Sequence, residues 1–153
     1  MKRVLIIYFS FTGKTERMAA YIAEGVRFTG QEAVIKTIEE LNSISALAGY
    51  DGYIFGSPSY SSGVPEPMKT FLLMMAKADL KGKKGGTFGP YRHDVGYKHD
   101  AYAPAIILDT LQTKYGMKPF ELGPFALKEN LVETGDGIRA CQDYGRVFGQ
   151  KLD

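Results

Sequence analysis

The stretch "RVLIIYFSFTGKTERMA", Arg3–Ala19, decides the fold. Its opening is a continuous apolar run with no polar alternation, which suits a strand buried on both faces of a parallel sheet. From Lys14 to Phe28 the apolar residues Met18, Ile22 and Val26 recur every four positions, with Ala19 and Ala23 beside them. That period predicts a helix with one buried stripe. Between strand and helix stand three hydroxyls, a glycine and a lysine. A helix start offers backbone N–H groups without internal partners and the positive end of the macrodipole. Ser10, Thr12 and Thr15 add hydroxyl donors, and Gly13 lets the backbone approach closely. These are the requirements of a phosphate group. Lys14 either adds a charge there or points into solvent. A simple cap would need one such residue rather than four.

Further along, the pattern keeps alternating between strand and helix. "EAVIKTI" reads as a second strand. "NSISALAG" reads as a short capped helix closed by Gly49. "DGYIFGSPSY" is a third buried strand running into a turn. Pro65 and Pro67 suit a helix start, and Met68, Phe71, Leu72 and Met75 follow on one face. "KKGGTFGPY" is a fourth strand whose two glycines imply a bend or a close neighbour. Ile107, Leu111 and Tyr115 mark another helix. "MKPFELGPFAL" carries a fifth strand and a Gly-Pro turn, and Ile138, Cys141, Tyr144, Phe148 and Leu152 mark a closing helix. Five βα units predict an α/β, three-layer, doubly wound fold with a five-stranded parallel sheet and helices on both faces. The order 2-1-3-4-5 suits this size and places a ligand at the carboxyl ends of strands 1, 3 and 4.

Composition narrows the function classes. The chain has 153 residues, 44% hydrophobic and 24% charged, which predicts one domain over 1–153. The single cysteine, Cys141, excludes an internal disulfide and a Cys-based cluster, and it falls on the buried stripe of the last helix. Two histidines without metal-binding spacing give no metal signal. A net charge of +2 with scattered Lys and Arg argues against nucleic acid. No apolar run approaches the ~20 residues of a membrane helix, and the first residues do not form a signal peptide. The expected location is cytoplasmic. "GKT" is not a nucleotide P-loop, because Tyr8 stands where that motif needs its first glycine, and GxGxxG is absent. "YFSF" and "FGSP" lack the carboxylates of a response-regulator receiver. Asp51 falls at the opposite end of its strand from the expected ligand.

On these motifs the chain resembles the flavodoxin family. "SFTGKTE" is similar to the flavodoxin phosphate loop (S/T)-x-T-G-x-T-E. "FGSPSYSSGVPEPMKTFL" resembles the second flavin loop and following helix of short flavodoxins and of the flavodoxin-like domain of flavodiiron proteins. "GKKGGTFGPY" resembles their fourth strand and third loop. The resemblance implies a flavodoxin-like domain that holds FMN and carries one or two electrons between redox protein donors and acceptors, as a monomer or weak homodimer. It implies that Ser10, Phe11, Thr12, Gly13, Lys14 and Thr15 hold the phosphate. Ser57, Pro58, Ser59, Tyr60, Ser61, Ser62 and Gly63 would lie beside the isoalloxazine, with one peptide between Ser59 and Gly63 turning on one-electron reduction. Gly89, Pro90 and Tyr91 would form the third loop. Relatives often continue that loop as G-S-Y-G-W-x-G. Here it reads "GPYRHDVGYKHDAYAP", longer and without tryptophan. Tyr91 is favoured by position to stack on the ring, Tyr97 comes next, and Tyr102 is a third candidate. Arg92, His93, Lys98 and His99 form either a solvated loop or a cationic patch near the flavin or facing an acidic partner. The weak charge also departs from strongly acidic relatives. An NAD(P)H-dependent FMN or quinone reductase of the same fold is the alternative activity, and a flavin-free binding module is a third reading.

Overall fold

Residues 1–60, 63–92 and 102–152 are described in this computed structural model, and Ser61, Ser62, Tyr97, His93, Lys98 and His99 lie outside them. The opening apolar run forms β1, Arg3–Tyr8, and the striped segment forms α1, Lys14–Phe28. Then follow β2 (Glu32–Thr37), β3 (Gly52–Gly56), α2 (Glu66–Met74), β4 (Lys84–Tyr91), α3 (Ala103–Tyr115), β5 (Lys118–Pro119), β6 (Phe125–Lys128) and α4 (Gly135–Gln150). "ISAL", Ile44–Leu47, is a single 3-10 turn before β3, with Gly49 at φ +90° closing it. Pro65 is the N-cap of α2, and Gly116, at φ +66°, ends α3.

The strands pair in parallel in the order β2-β1-β3-β4, and the fifth position is filled twice. β5 pairs Lys84 and Gly85, whereas β6 pairs Phe88 to Tyr91. The fifth strand expected from "MKPFELGPFAL" is therefore broken by the loop Phe120–Pro124. Alternation along β1 sends Leu5 and Ile7 to one face and Val4, Ile6 and Tyr8 to the other. The first face packs under α2 and α3 through Phe55, Met68, Phe71, Ile107 and Leu111. The second packs under α1 and α4 through Met18, Ile22, Phe88, Cys141 and Phe148. Helices α1 and α4 touch backbone to backbone: a Cβ at Gly145 would overlap the Ile22 carbonyl oxygen, and one at Gly25 the Gln142 carbonyl oxygen.

The break in the fifth position leaves Thr87 without a strand partner on that edge, because β5 ends beside Gly85 and β6 begins beside Phe88. Its N–H and C=O are instead taken by one side chain. The Tyr144 hydroxyl accepts from Thr87 N at 3.0 Å and donates to Thr87 O at 3.0 Å. Tyr144 is 4% exposed, and burial drives its pKa well above the ordinary tyrosine value, so the hydroxyl stays neutral and able to donate. The glycines anticipated from "KKGGTFGPY" make room for this arrangement, since a Cβ on Gly86 would stand 2.7 Å from the same hydroxyl. Removing that hydroxyl strands two buried backbone groups. Tyr144→Phe is expected to cost about 3 kcal/mol, read as a lower urea midpoint at unchanged slope.

Candidate functional site

Three loops leave the carboxyl ends of β1, β3 and β4 and meet at one end of the sheet, where a doubly wound fold places its ligand. They enclose an open cleft of about 450 Å³, lined by Phe11, Thr12, Pro58, Ser59, Tyr60, Pro90, Tyr91, Arg92 and Glu129. That volume falls within the roughly 300–1,000 Å³ of small-molecule sites.

The first loop is shaped by Gly13, whose φ of +94° only glycine adopts at low cost. Gly13 N donates to Ser10 Oγ at 3.0 Å, which folds the loop back onto itself. Gly13 is the N-cap of α1, and no side chain caps that helix start. At α4, by contrast, Thr134 Oγ1 accepts from Gly137 N at 3.0 Å. The hydroxyls of "SFTGKT" thus do not serve as an ordinary cap. The space beside Gly13 is open, with nothing within 4 Å of where a Cβ would lie. An uncapped helix start facing open space suits a phosphate. The Lys14 ammonium stands 3.7 Å from Glu133, which also lies 3.6 Å from Arg17.

The second loop is held from both sides. Ser59 N donates to Pro90 O at 3.3 Å, and Ser59 Oγ accepts from Ala103 N, at the start of α3, at 2.8 Å. Ser57 is fully buried and its hydroxyl donates to Pro58 O. Beyond Ser59 the backbones of Tyr60 and Gly63 exchange two hydrogen bonds of 2.9 Å, with Gly63 at φ +111°. The peptide expected to turn lies between Ser59 and Gly63, a stretch whose Ser61 and Ser62 are outside the described residues. Tyr60 meets Phe11 edge-on, with centroids 6.1 Å apart.

Gly89, Pro90 and Tyr91, expected in the third loop, are the last residues of β4, paired with β6; Tyr91 at the strand's carboxyl end lines the cleft, and Tyr102 is buried behind it, stacked at 4.3 Å and 18°. Of the tyrosines considered for the ring position, Tyr91 therefore faces the cleft and Tyr102 backs it; Tyr97 is not described. Gly89 does not line the cleft. It lies buried within β4, where a Cβ would overlap the Ser57 carbonyl oxygen, so its absence of a side chain lets the second loop close on β4. Glu129 was not singled out from the sequence. It immediately follows β6, whose carboxyl end falls at the same end of the sheet, and it pairs with Arg92 at 3.3 Å.

Aromatic and proline walls beside an uncapped helix start fit a flat ring carrying a phosphate tail. A doubly wound α/β domain with its cleft at the topological switch point is the class that this geometry defines. The flavodoxin family model matches residues 6–117. A flavodoxin of Clostridium saccharobutylicum is 38% identical over 157 residues, covering 98% of this chain and 94% of its own. The diflavin flavoprotein A 4 of Synechocystis sp. is 29% identical over 153 residues, and this chain spans 24% of its length. Among solved structures, oxidised Flavodoxin 1 of Bacillus cereus superposes with a TM-score of 0.80 at 28% identity, with 99% of each chain covered. The chain belongs to the flavodoxin family, whose cofactor is FMN.

Among the described residues no three His, Cys, Asp or Glu side chains are placed to hold a metal ion, and no helix is long and apolar enough to cross a membrane. Cys141 is buried in the α1–α4 layer, as its place on the helical stripe predicts, and burial pushes its thiol up to about 12. The unfolded thiol ionises near ~8.5. The folded state therefore holds its proton where the unfolded state loses it, and between those values this group lowers stability by about 1.4 kcal/mol per pH unit as pH rises. At pH 8 a thiol reagent such as Ellman's is expected to leave the native protein unmodified and to label one thiol in denaturant. Gly13→Ala meets no steric obstacle but pays for its positive φ, so apoprotein stability should fall by about 1 kcal/mol in urea unfolding.

Proposed function

We propose that this chain is an electron carrier that exchanges electrons with redox proteins through FMN seated in the three-loop cleft. FMN supplies the one- and two-electron redox chemistry when bound. The chain's own residues bind, orient and shield it. In this reading the backbone N–H groups of residues 10–15 and the hydroxyls of Ser10, Thr12 and Thr15 hold the phosphate, helped by the dipole of α1. Lys14 adds a charge moderated by Glu133, 3.7 Å away. Tyr91, held rigid by Tyr102, forms one wall for the isoalloxazine, and Pro58, Tyr60 and Phe11 form the others. Ser57, Gly63 and Gly89 hold those walls in place through contacts within the loops, and Ser59 both lines the cleft and ties the second loop to Pro90 and Ala103.

The observation that carries the reading is the convergence of these loops, at the carboxyl ends of three neighbouring parallel strands, on a cleft with aromatic walls and an uncapped helix start. A reductase would need to seat a nicotinamide or quinone beside the flavin, and the residues expected to build that seat belong to the long third loop. The measurement is the visible spectrum of the protein reconstituted with FMN, followed by steady-state assay with NADPH and menadione. Flavin absorbance with submicromolar affinity is expected. Turnover should stay at least a hundredfold below the ~10 s⁻¹ of an ordinary enzyme. Robust NADPH-dependent turnover would move the assignment to the reductase. Tyr91→Ala is expected to weaken FMN binding about tenfold through lost stacking, measured by quenching of flavin fluorescence.

A further inference from the structure

Lys14 is the one cation of residues 10–15, yet it does not line the cleft. Its side chain borders a second concavity of about 340 Å³ beside the cleft. Its ammonium stands 3.7 Å from Glu133 Oε2, its single ion-pair partner among the described residues. Arg17, three residues on and on the same face of α1, stands 3.6 Å from the other oxygen, Oε1. Each cation has its own oxygen, so one can leave while the other stays. Glu133 is the fixed member of this trio. It directly precedes Thr134, the N-cap of α4, whose Oγ1 accepts from Gly137 N at 3.0 Å and donates to Leu131 O at 2.7 Å. A Cβ on Gly137 would overlap the Leu131 carbonyl oxygen, so this turn is closed tightly. Lys14 is the mobile member, a compact charge on a flexible four-carbon stem. It is the first residue of α1, beside the uncapped N–H groups. A part-exposed ion pair is weak and readily exchanged. A phosphate monoester carries nearly two negative charges at neutral pH against one on a carboxylate, so it attracts the ammonium more strongly.

We propose that Glu133 is a specificity-determining residue for the phosphate end of the flavin: it holds the Lys14 ammonium off the empty site and competes with the phosphate for it. Lys14 turns from Glu133 to the phosphate of bound FMN, and Arg17 keeps the carboxylate. The proposal rests on the phosphate-site reading above and adds a competitor for Lys14. The consequence is a limit on selectivity. Part of the attraction between Lys14 and the phosphate is offset by the lost pair with Glu133. The preference for FMN over riboflavin, the same ring without a phosphate, is therefore smaller than the first loop alone would give.

The test uses the full chain stripped of flavin, in about 150 mM NaCl, where the Debye length is about 8 Å. Dissociation constants of FMN and of riboflavin are read by quenching of flavin fluorescence in four proteins: the parent, Glu133→Gln, Lys14→Met and the double variant. Riboflavin meets the same ring walls, so the ratio of the two constants isolates the phosphate end. Glu16, in the same first turn of α1, and Arg17 are present in all four proteins, so their charges cancel from the comparison. Glu133→Gln is expected to raise the preference for FMN about threefold, within the range of a part-exposed pair. Lys14→Met is expected to lower it about fivefold. In the Lys14→Met background Glu133→Gln should change the ratio by less than about 1.5-fold, because no ammonium is left to hold. The phosphorus-31 resonance of bound FMN should likewise move on Glu133→Gln only while Lys14 is present. A gain in preference that persists without Lys14 overturns the proposal, since Glu133 would then act only by repelling the phosphate through space. So does an unchanged or lowered preference in Glu133→Gln, which would make Glu133 a bystander or a support that aims Lys14 at the phosphate. A parent protein that does not distinguish FMN from riboflavin removes the phosphate-site reading itself, a result separate from an additive cycle.

Discussion

One hydroxyl completes the sheet. Parallel strands depend on saturated ladders, because a buried N–H or C=O without a partner costs more than most side-chain contacts return. At the fifth position the backbone supplies two short segments with a gap between them, and the gap falls opposite Thr87. Tyr144, reaching across from α4, is both donor and acceptor there. This couples the outermost helix of one layer to the strand that carries the third loop. The same helix is held against α1 through Gly25 and Gly145, and α1 begins at the first loop. The positions of two of the three cleft loops thus trace back to one closely packed face of the sheet. The second loop is then fixed to the third by Ser59 and by the close approach of Ser57 to Gly89.

Most of the architecture was legible because it is written in local periods. The stripe Met18–Ile22–Val26 predicts the helix that α1 forms over Lys14–Phe28, and the unbroken apolar run predicts β1. The phosphate-type loop was legible because strand, glycine, hydroxyls and helix follow one another directly in the chain. The broken fifth position was not, since "MKPFELGPFAL" is apolar throughout and carries no period that separates two paired pieces from one strand. Tyr144 read as core, and correctly so, but its hydroxyl meets a backbone 57 residues away, which no local pattern reveals. Ser59 is read from the sequence as part of the second loop alone, and that its hydroxyl accepts from Ala103 N, 44 residues on, is likewise invisible to a local pattern. Glu129 escaped notice because a lone acidic residue after a short strand resembles any solvated turn. Only the topology, which brings the end of β6 to the cleft, marks it out.

The electrostatic character of the site followed the same division. Composition alone shows a near-neutral balance and a departure from acidic relatives, but not which charges pair beside the cleft. Ion pairing at Glu129 and Glu133 shows that acidic residues at the cleft are neutralised in place. Salt-exposed pairs of this kind contribute little to stability. Their effect is on the field above the cleft, where separated charges act over a Debye length rather than through contact.

Ser59 has a consequence for how the cleft empties. Its backbone bonds Pro90 and its side chain bonds the first turn of α3, so the second loop, the third loop and a helix end share one small knot of contacts. Segments tied in this way open together rather than one by one. Cofactor escape that requires the knot to loosen would be a concerted event with a large activation enthalpy. The residence time of the bound nucleotide would then shorten steeply on warming, even over a range in which the domain itself stays folded.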